Sequence, residues 1–300
     1  MDGALQRPTA KMNDLKGHLD ALAETYHRAE HLEQDPLRFP RRYDDPADQE
    51  VTGLIAASLA FGNVRAFMAK CEEVLARLGP RPSRFLSDSD DNAIRERVQG
   101  FCYRFVGSAE LFALLAGIAR LLRRDGGLKA SFLRGFQRDG QVIAGLSTLA
   151  QDLRTLGGDD TSARSFLTPI PSAAHASKRL LLFLRWMVRR DALDLGLWRE
   201  VPRSALLIPL DVHVFRVAQF LGLLRPARGG PRLSHAIALT DALRRFDPED
   251  PVRYDFALSH LGISRACKGR FDAESCAACA LRAVCIEVRR PSEARCRDGG

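Results

Sequence analysis

Apolar residues recur every three to four positions through most of the chain, the spacing of helices with one buried face. The pattern predicts helices over 49–60 and 64–78, parted by Phe61-Gly62-Asn63. Further helices are predicted over 109–124, 142–156, 177–190, 212–221, 233–246 and 252–261. Gly79-Pro80, Gly126-Gly127, Gly157-Gly158 and Gly229-Gly230 fall between these stretches as breakers. Asp211 stands as an N-cap before Val212, and Pro231 precedes the helix that opens near Leu233. No run alternates with period two, so the expected fold is all-α. Residues 1–48 are read as an N-terminal helix and an ordered loop rich in Pro, Arg and Asp. A helical core follows over 49–265, then a cysteine loop over 266–288 and a polar tail over 289–300.

A chain of 300 residues suits one large domain or two closely packed ones. Its 46% hydrophobic and 27% charged residues match an ordinary globular protein. The net charge of +8 favours a polyanionic partner, nucleic acid before an acidic membrane surface. Residues 1–20 are polar and lack the apolar core of a secretion signal, and the apolar run at 180–184 is too short to span a bilayer. The expectation is a cytoplasmic protein with no membrane partner. Thiols stay reduced there, and clustered cysteines hold metal more often than they form disulfides.

Four of the seven cysteines, Cys267, Cys276, Cys279 and Cys285, crowd together with intervening gaps of eight, two and five residues. Four thiolates on one short loop can wrap a single centre. Structural zinc also takes four cysteines, usually as two CxxC pairs; only one such pair is present, an asymmetry that favours a [4Fe–4S] cluster and leaves zinc as the alternative. Such a centre would fix the loop rather than catalyse redox chemistry, presenting Lys268, Arg270 and Arg282 to phosphates. Cys296 lies off this pattern.

Together with Ser259-His260-Leu261-Gly262, this loop resembles the carboxy-terminal end of endonuclease III, where the loop carries a [4Fe–4S] cluster and the first gap is slightly shorter. Residues 209–217, from Pro209 through Asp211 to Val217, resemble the aspartate-plus-helix segment of the helix-hairpin-helix DNA glycosylases. Residues 53–63 look like that superfamily's early core helix and the turn after it, and across its length the chain is similar to a bacterial family of unknown function placed near the superfamily. The resemblance implies a two-lobed helical glycosylase fold acting, as a monomer near the nucleoid, on double-stranded DNA with a damaged base. Asp211 would then stabilise the developing oxocarbenium charge, and a lysine would attack the sugar to form a Schiff base.

The glycine-rich hairpin of that superfamily is absent: residues 169–178, from Pro169 to Lys178, contain no glycine. Lys178 stands 33 residues before Asp211, a spacing that looks like the archaeal 8-oxoguanine glycosylases and points to an oxidised purine. It opens a very apolar helix, surroundings that favour the neutral amine a nucleophile needs. Without glycines the phosphate must be met differently, and Ser172, Ser177 and the first amides of the lysine helix are the substitutes. Asn63 is the candidate wedge for the gap left by a flipped base, with a plain interhelical turn as the other reading. His213 and Arg216 would reach the sugar–phosphate, or His213 packs in the core; Arg179 joins the DNA-contacting set. Trp186 and Trp198 read as core, and Asp35, Asp44, Asp45 and Asp48 as caps and ion-pair partners of Arg38, Arg41 and Arg42. The competing functions are a non-catalytic iron–sulfur DNA-binding protein and a glycosylase without lyase activity.

Overall fold

A computed structural model describes residues 10–158 and 166–289. The described residues form α1 (Ala10–Tyr26), α2 (Pro46–Leu59), α3 (Val64–Leu78), α4 (Pro82–Asp88) and α5 (Asp91–Val98). A hairpin, β1 (Cys102–Tyr103) and β2 (Val106–Gly107), leads into α6 (Ser108–Asp125), α7 (Lys129–Asp139) and α8 (Val142–Gly157). Then come α9 (Lys178–Val188), α10 (Val212–Phe220), α11 (Leu233–Arg244), α12 (Asp255–Ile263), α13 (Ala273–Ala277) and α14 (Ile286–Arg289). Helix is the dominant state, as the periodicity predicts. The antiparallel pair Cys102↔Gly107 and Tyr103↔Val106, with an isolated bridge between Arg190 and Leu195, departs from all-α among the described residues, and two residues per strand leave no alternation to detect.

Helix limits follow local chemistry. Asp45 accepts from the Ala47 N–H and Pro46 fills the first helical position of α2. Asn63 caps α3 through Ala66 N–H. Glycines in the left-handed region, Gly126, Gly140 and Gly158, close α6, α7 and α8. α9 ends earlier than its apolar pattern suggests, because the carbonyls of Trp186 and Met187 are taken by the N–H groups of Leu195, Gly196 and Trp198. The ordered loop before α2 is a series of 3₁₀ turns at Ala29–Gln34, Pro36–Arg38 and Pro40–Arg42.

α2 is the hub. Every residue from Glu50 to Leu59 is buried, and α3, α4 and α9 pack on it. α6 lies against α8 at backbone contact: a Cβ on Gly117 would meet the Leu153 carbonyl oxygen at 2.3 Å. α1 and α10 pack on α12. The buried apolar side chains form one contiguous cluster running from Leu15 to Leu281. Trp186 and Trp198 both lie in it, as expected, with the Trp198 indole donating to Glu50. That same carboxylate accepts from the N–H groups of Leu128 and Lys129 and so caps α7. No helix among the described residues is long and apolar enough to cross a membrane.

One side of α9 is bonded through charge rather than apolar contact. Arg185, 3% exposed, pairs with Asp255 and with Asp194 at 3.3 Å. One turn later Arg189 meets Asp194 at 2.7 Å, Asp250 at 2.9 Å and Asp191 at 2.6 Å. His27, just after α1, reaches Asp191 at 3.0 Å. Burial works against both guanidinium charges, but the surrounding carboxylates outweigh it and raise both arginines above their ordinary value. Removing one partner of such a set strands a buried charge. Arg189→Leu should therefore cost about 3–5 kcal/mol, read as a lower urea midpoint at unchanged m-value; an unmoved midpoint would show that this cluster does not stabilise the fold.

Candidate functional site

The starts of α9 and α10 meet. Lys178 is the first residue of α9 and Asp211 the N-cap of α10, and Lys178 Nζ lies 3.1 Å from Asp211 Oδ2. Capping and pairing use different oxygens, since Oδ1 accepts from the Val214 N–H at 2.7 Å. One carboxylate thus both caps α10 and pairs with Lys178. Burial pushes that carboxyl upward, but the Lys178 ammonium, the Val214 N–H and His213 outweigh it and hold the group below the usual carboxylate range. The apolar residues of α9, Leu180, Leu181, Phe183, Leu184, Trp186 and Met187, are buried in the core, whereas the Lys178 side chain is 36% exposed and shares its end with a carboxylate.

The pair lines two cavities at once. An outer cleft of about 900 Å³ is walled by Arg154, Phe166, Ile170, Ser172, His175 and Ser177 together with Lys178 and Asp211. A smaller recess of about 250 Å³ lies on the other side, among the turn at Phe61-Gly62, Asp35, Arg185, Asp255 and Phe256. The segment 166–177 that enters α9 contains no helix, and no side chain among the described residues caps the start of α9, so its first N–H groups stand beside the cleft. Ser177, just before it, is left-handed at φ 50, with a buried hydroxyl that has no partner among the described residues.

The other residues expected at DNA separate into three groups. Ser177 lines the cleft with the pair. Arg179 lines it too, but its guanidinium is engaged, donating to the carbonyls of Ser58 and Phe166 and lying 4.1 Å from the Phe166 ring centre. Burial pushes its guanidinium down to about 10, and its work is to join α9 to the end of α2. Asn63 is spent on capping α3 at 3.3 Å. His213 lines neither cavity; its ring is pressed against Gly262, where a Cβ would lie 2.6 Å from it, and burial lowers its basicity. Arg216 is exposed and runs toward Gly269 of the cysteine loop. Lys268 pairs with Asp272 at 2.9 Å, and Arg270 is exposed on the same loop. In the acidic segment Asp35 caps a 3₁₀ turn, Asp45 caps α2 and Asp48 accepts from the Ser83 N–H, but the neighbouring arginines look elsewhere. Arg42 pairs with Glu72, and Arg38 and Arg41 donate to the carbonyls of Glu33 and Leu193.

The four cysteines are free thiols of intermediate exposure. Burial pushes Cys267 upward, and Cys279, Cys276 and Cys285 each add to that push. The Gly269 N–H donates to Cys267 at 3.4 Å and the Asp272 N–H to Cys276 at 3.5 Å, while Glu287 and Val288 offer N–H groups to Cys285. Among the described residues no three His, Cys, Asp or Glu side chains close onto one metal-ion position. Four thiols on one loop, three of them with backbone N–H donors turned toward sulfur, are a donor set of the chemistry a thiolate-bound centre takes. Cys296 lies outside the described residues.

Two features escape the sequence reading. Phe105, at the tip of the β1–β2 hairpin beside left-handed Arg104, is 62% exposed and packs on Phe61 and Phe166, one ring from each cavity. The other is Asp255, buried in the wall of the recess. Hairpin and turn are clamped: Tyr103 donates to the Phe61 carbonyl, and Gly62, at φ 79, leaves no room for a Cβ beside Tyr103 Oη and Arg104 Nη1.

The model of a family described as "Protein of unknown function (DUF2400)" matches residues 35–264, a span that takes in Lys178 and Asp211 and stops before Cys267. No curated protein and no solved structure matches the chain.

The pair sets a pH dependence. Because the Asp211 carboxyl is held low in the folded chain, its contribution is fully present above the unfolded carboxylate value of about 3.9 and is lost as pH falls through the lower folded value. Asp211→Asn keeps an acceptor for Val214 and loses the ion pair. The gap in thermal midpoint between wild type and Asp211→Asn should be constant from about pH 7 to about pH 5 and close below about pH 4; a gap that persists in acid would show that the pair's charge does not stabilise the fold.

Proposed function

The chain belongs to that family of unknown function, and we propose that it is a DNA glycosylase with AP lyase activity, acting on a damaged base in duplex DNA. The observation that carries this reading is the lysine–aspartate pair, 3.1 Å apart at the boundary between a wide cleft and a small recess. A base cannot be attacked at its sugar while stacked, so such an enzyme extrudes it and fills the gap. The cleft suits the sugar–phosphate backbone, and the recess the extruded base. The first N–H groups of α9, left without a cap by the Ser177 side chain, suit with Ser172 and Ser177 a phosphate in place of the missing glycine hairpin.

The chemistry follows from the two side chains. As the N-glycosidic bond breaks, its electrons leave with the base and positive charge develops at C1′, which the Asp211 carboxylate stabilises. Asp211 takes a proton from the Lys178 ammonium, and the freed lone pair forms the bond to C1′. Opening of the sugar gives an imine, and loss of a proton from C2′ expels the 3′ phosphate. Phe105, exposed at the rim between the cavities, is better placed than Asn63 to fill the vacated stack. An oxidised purine remains the substrate suggested by the lysine–aspartate spacing.

Cys267, Cys276, Cys279 and Cys285 would hold a [4Fe–4S] cluster, which on this loop supplies iron–thiolate bonds that tie together a segment with little apolar core of its own. Arg216 and Arg270 then stand exposed where the duplex continues past α10. No lipid or second chain is needed for this reading, and the partner is DNA alone.

Three outcomes are expected. Borohydride should trap the protein on duplexes carrying 8-oxoguanine or an abasic site, and Lys178→Gln should abolish the adduct. Base release without trapping would leave a glycosylase that is not a lyase, and salt-sensitive binding with neither would leave a binding protein. Phe105→Ser should lower excision from duplex about tenfold and leave trapping on a single-stranded abasic substrate unchanged; equal losses on both would remove the wedge. Protein purified without oxygen should be brown, and Cys276→Ala colourless; colourless wild type with stoichiometric zinc would overturn the cluster and not the lysine chemistry.

A further inference from the structure

The recess behind the pair holds an acceptor with nothing to accept from. Asp255, on α12, is 1% exposed; its Oδ2 is held by Arg185, while Oδ1 has no hydrogen-bond partner among the described residues. An orphaned buried carboxylate oxygen is costly and is kept where a ligand completes it. Burial pushes this carboxyl above its ordinary value in spite of Arg185, and it senses Asp211 and Lys178, the residues across the recess. Asp35 and Asp211 line the same space, so three carboxylates face it against the two cations Lys178 and Arg185. That balance repels phosphates and carboxylates and suits a neutral ligand rich in N–H donors. Apolar walls come from Phe61, Val64, Phe67, Leu182 and Phe256. The volume, about 250 Å³, falls below the roughly 300 Å³ at which pockets for drug-sized ligands begin. It admits one flat heterocycle, not a nucleotide.

Taking the glycosylase reading of Lys178 and Asp211 as its basis, we infer that this recess selects a nucleobase by its N–H edge, with Asp255 Oδ1 accepting from a ring N–H or exocyclic amine such as guanine-type bases present. Asp35 is spent on the Leu37 N–H through one oxygen and Asp211 on Val214 and Lys178, which leaves Asp255 as the edge reader. Bases methylated at that edge offer no donor and leave the carboxylate unmet.

The test uses free heterocycles, so it does not depend on catalysis. Isocytosine carries the ring N–H and amine of the guanine edge; uracil methylated at both ring nitrogens has similar size and no donor. Ligand-observed NMR on the full chain should give isocytosine at least about tenfold tighter binding, one hydrogen bond to a charged group. Asp255→Asn should erase that preference. Val64→Phe fills the recess from the half-buried start of α3 and leaves the residues of the Arg185–Asp255 pair in place, and should abolish binding of both compounds while the thermal midpoint stays near wild type. Equal affinity for the two compounds, or unchanged binding in a folded Val64→Phe protein, would overturn the assignment. Borohydride trapping of wild type on abasic DNA, which has no base to lodge, reports on Lys178 separately. Isocytosine selectivity without trapping would keep the recess and discard the lyase, and trapping without selectivity would do the reverse.

Discussion

The rotation of α9 about its own axis is what the site depends on, and two buried arginines set it. Arg185 and Arg189 lie one turn apart and clasp aspartates from three separate segments, Asp194 and Asp191 after the helix, Asp250 before α12, and Asp255 within it. Lys178 is seven residues before Arg185, about two turns, so it falls on nearly the same stripe. Buried ion pairs add little net stability over good apolar packing. What they add is direction, because a guanidinium fork bonds only where its N–H groups point. With the stripe fixed, the amine at its head has one place to go, and Asp211 occupies it.

The same helix separates the two cavities. Its first residue borders both, Arg179 pins it to the end of α2, and Leu182 and Arg185 line the recess. On the far side, the Phe61-Gly62 turn and the clamped hairpin form a wall that carries Phe105 outward. A ligand reaching from cleft to recess must pass the lysine and the carboxylate, since both line each cavity. The cysteine loop approaches this arrangement at Gly269, beside Arg216 and beside His213, two residues along from Asp211 and itself pressed on Gly262 of α12.

Much of this was legible where local chemistry speaks alone. α3 runs over the residues that its apolar spacing predicts, and the breakers Gly126-Gly127 and Gly157-Gly158 mark the ends of α6 and α8. α5 was not legible, because only Ile94 and Val98 of its eight residues are buried, and neither was α7, whose buried face is Ser131, Phe132 and Gly135. Lys178 and Asp211 could be picked out from a helix start and a cap, yet their contact crosses 33 residues of chain. Arg179 shows what spacing leaves out: a cation beside Lys178 at the cleft looks free for a phosphate, yet Phe166 and two carbonyls already engage it. The recess had no sequence signal at all. Its walls come from Asp35, Phe61, Lys178, Asp211 and Asp255, and no spacing rule joins them.

Two helices that begin at the same spot have an electrical consequence beyond their side chains. Each helix start carries roughly half a positive charge from its unpaired peptide dipoles, and α9 and α10 bring two such ends together with an ammonium between them. Asp211 is therefore a counter-ion for three sources of positive potential, of which the lysine is only one. With Lys178 neutralised, the two helix starts together still supply roughly one positive charge against the Asp211 carboxylate, so part of its counter-charge belongs to the backbone and no side-chain substitution removes it.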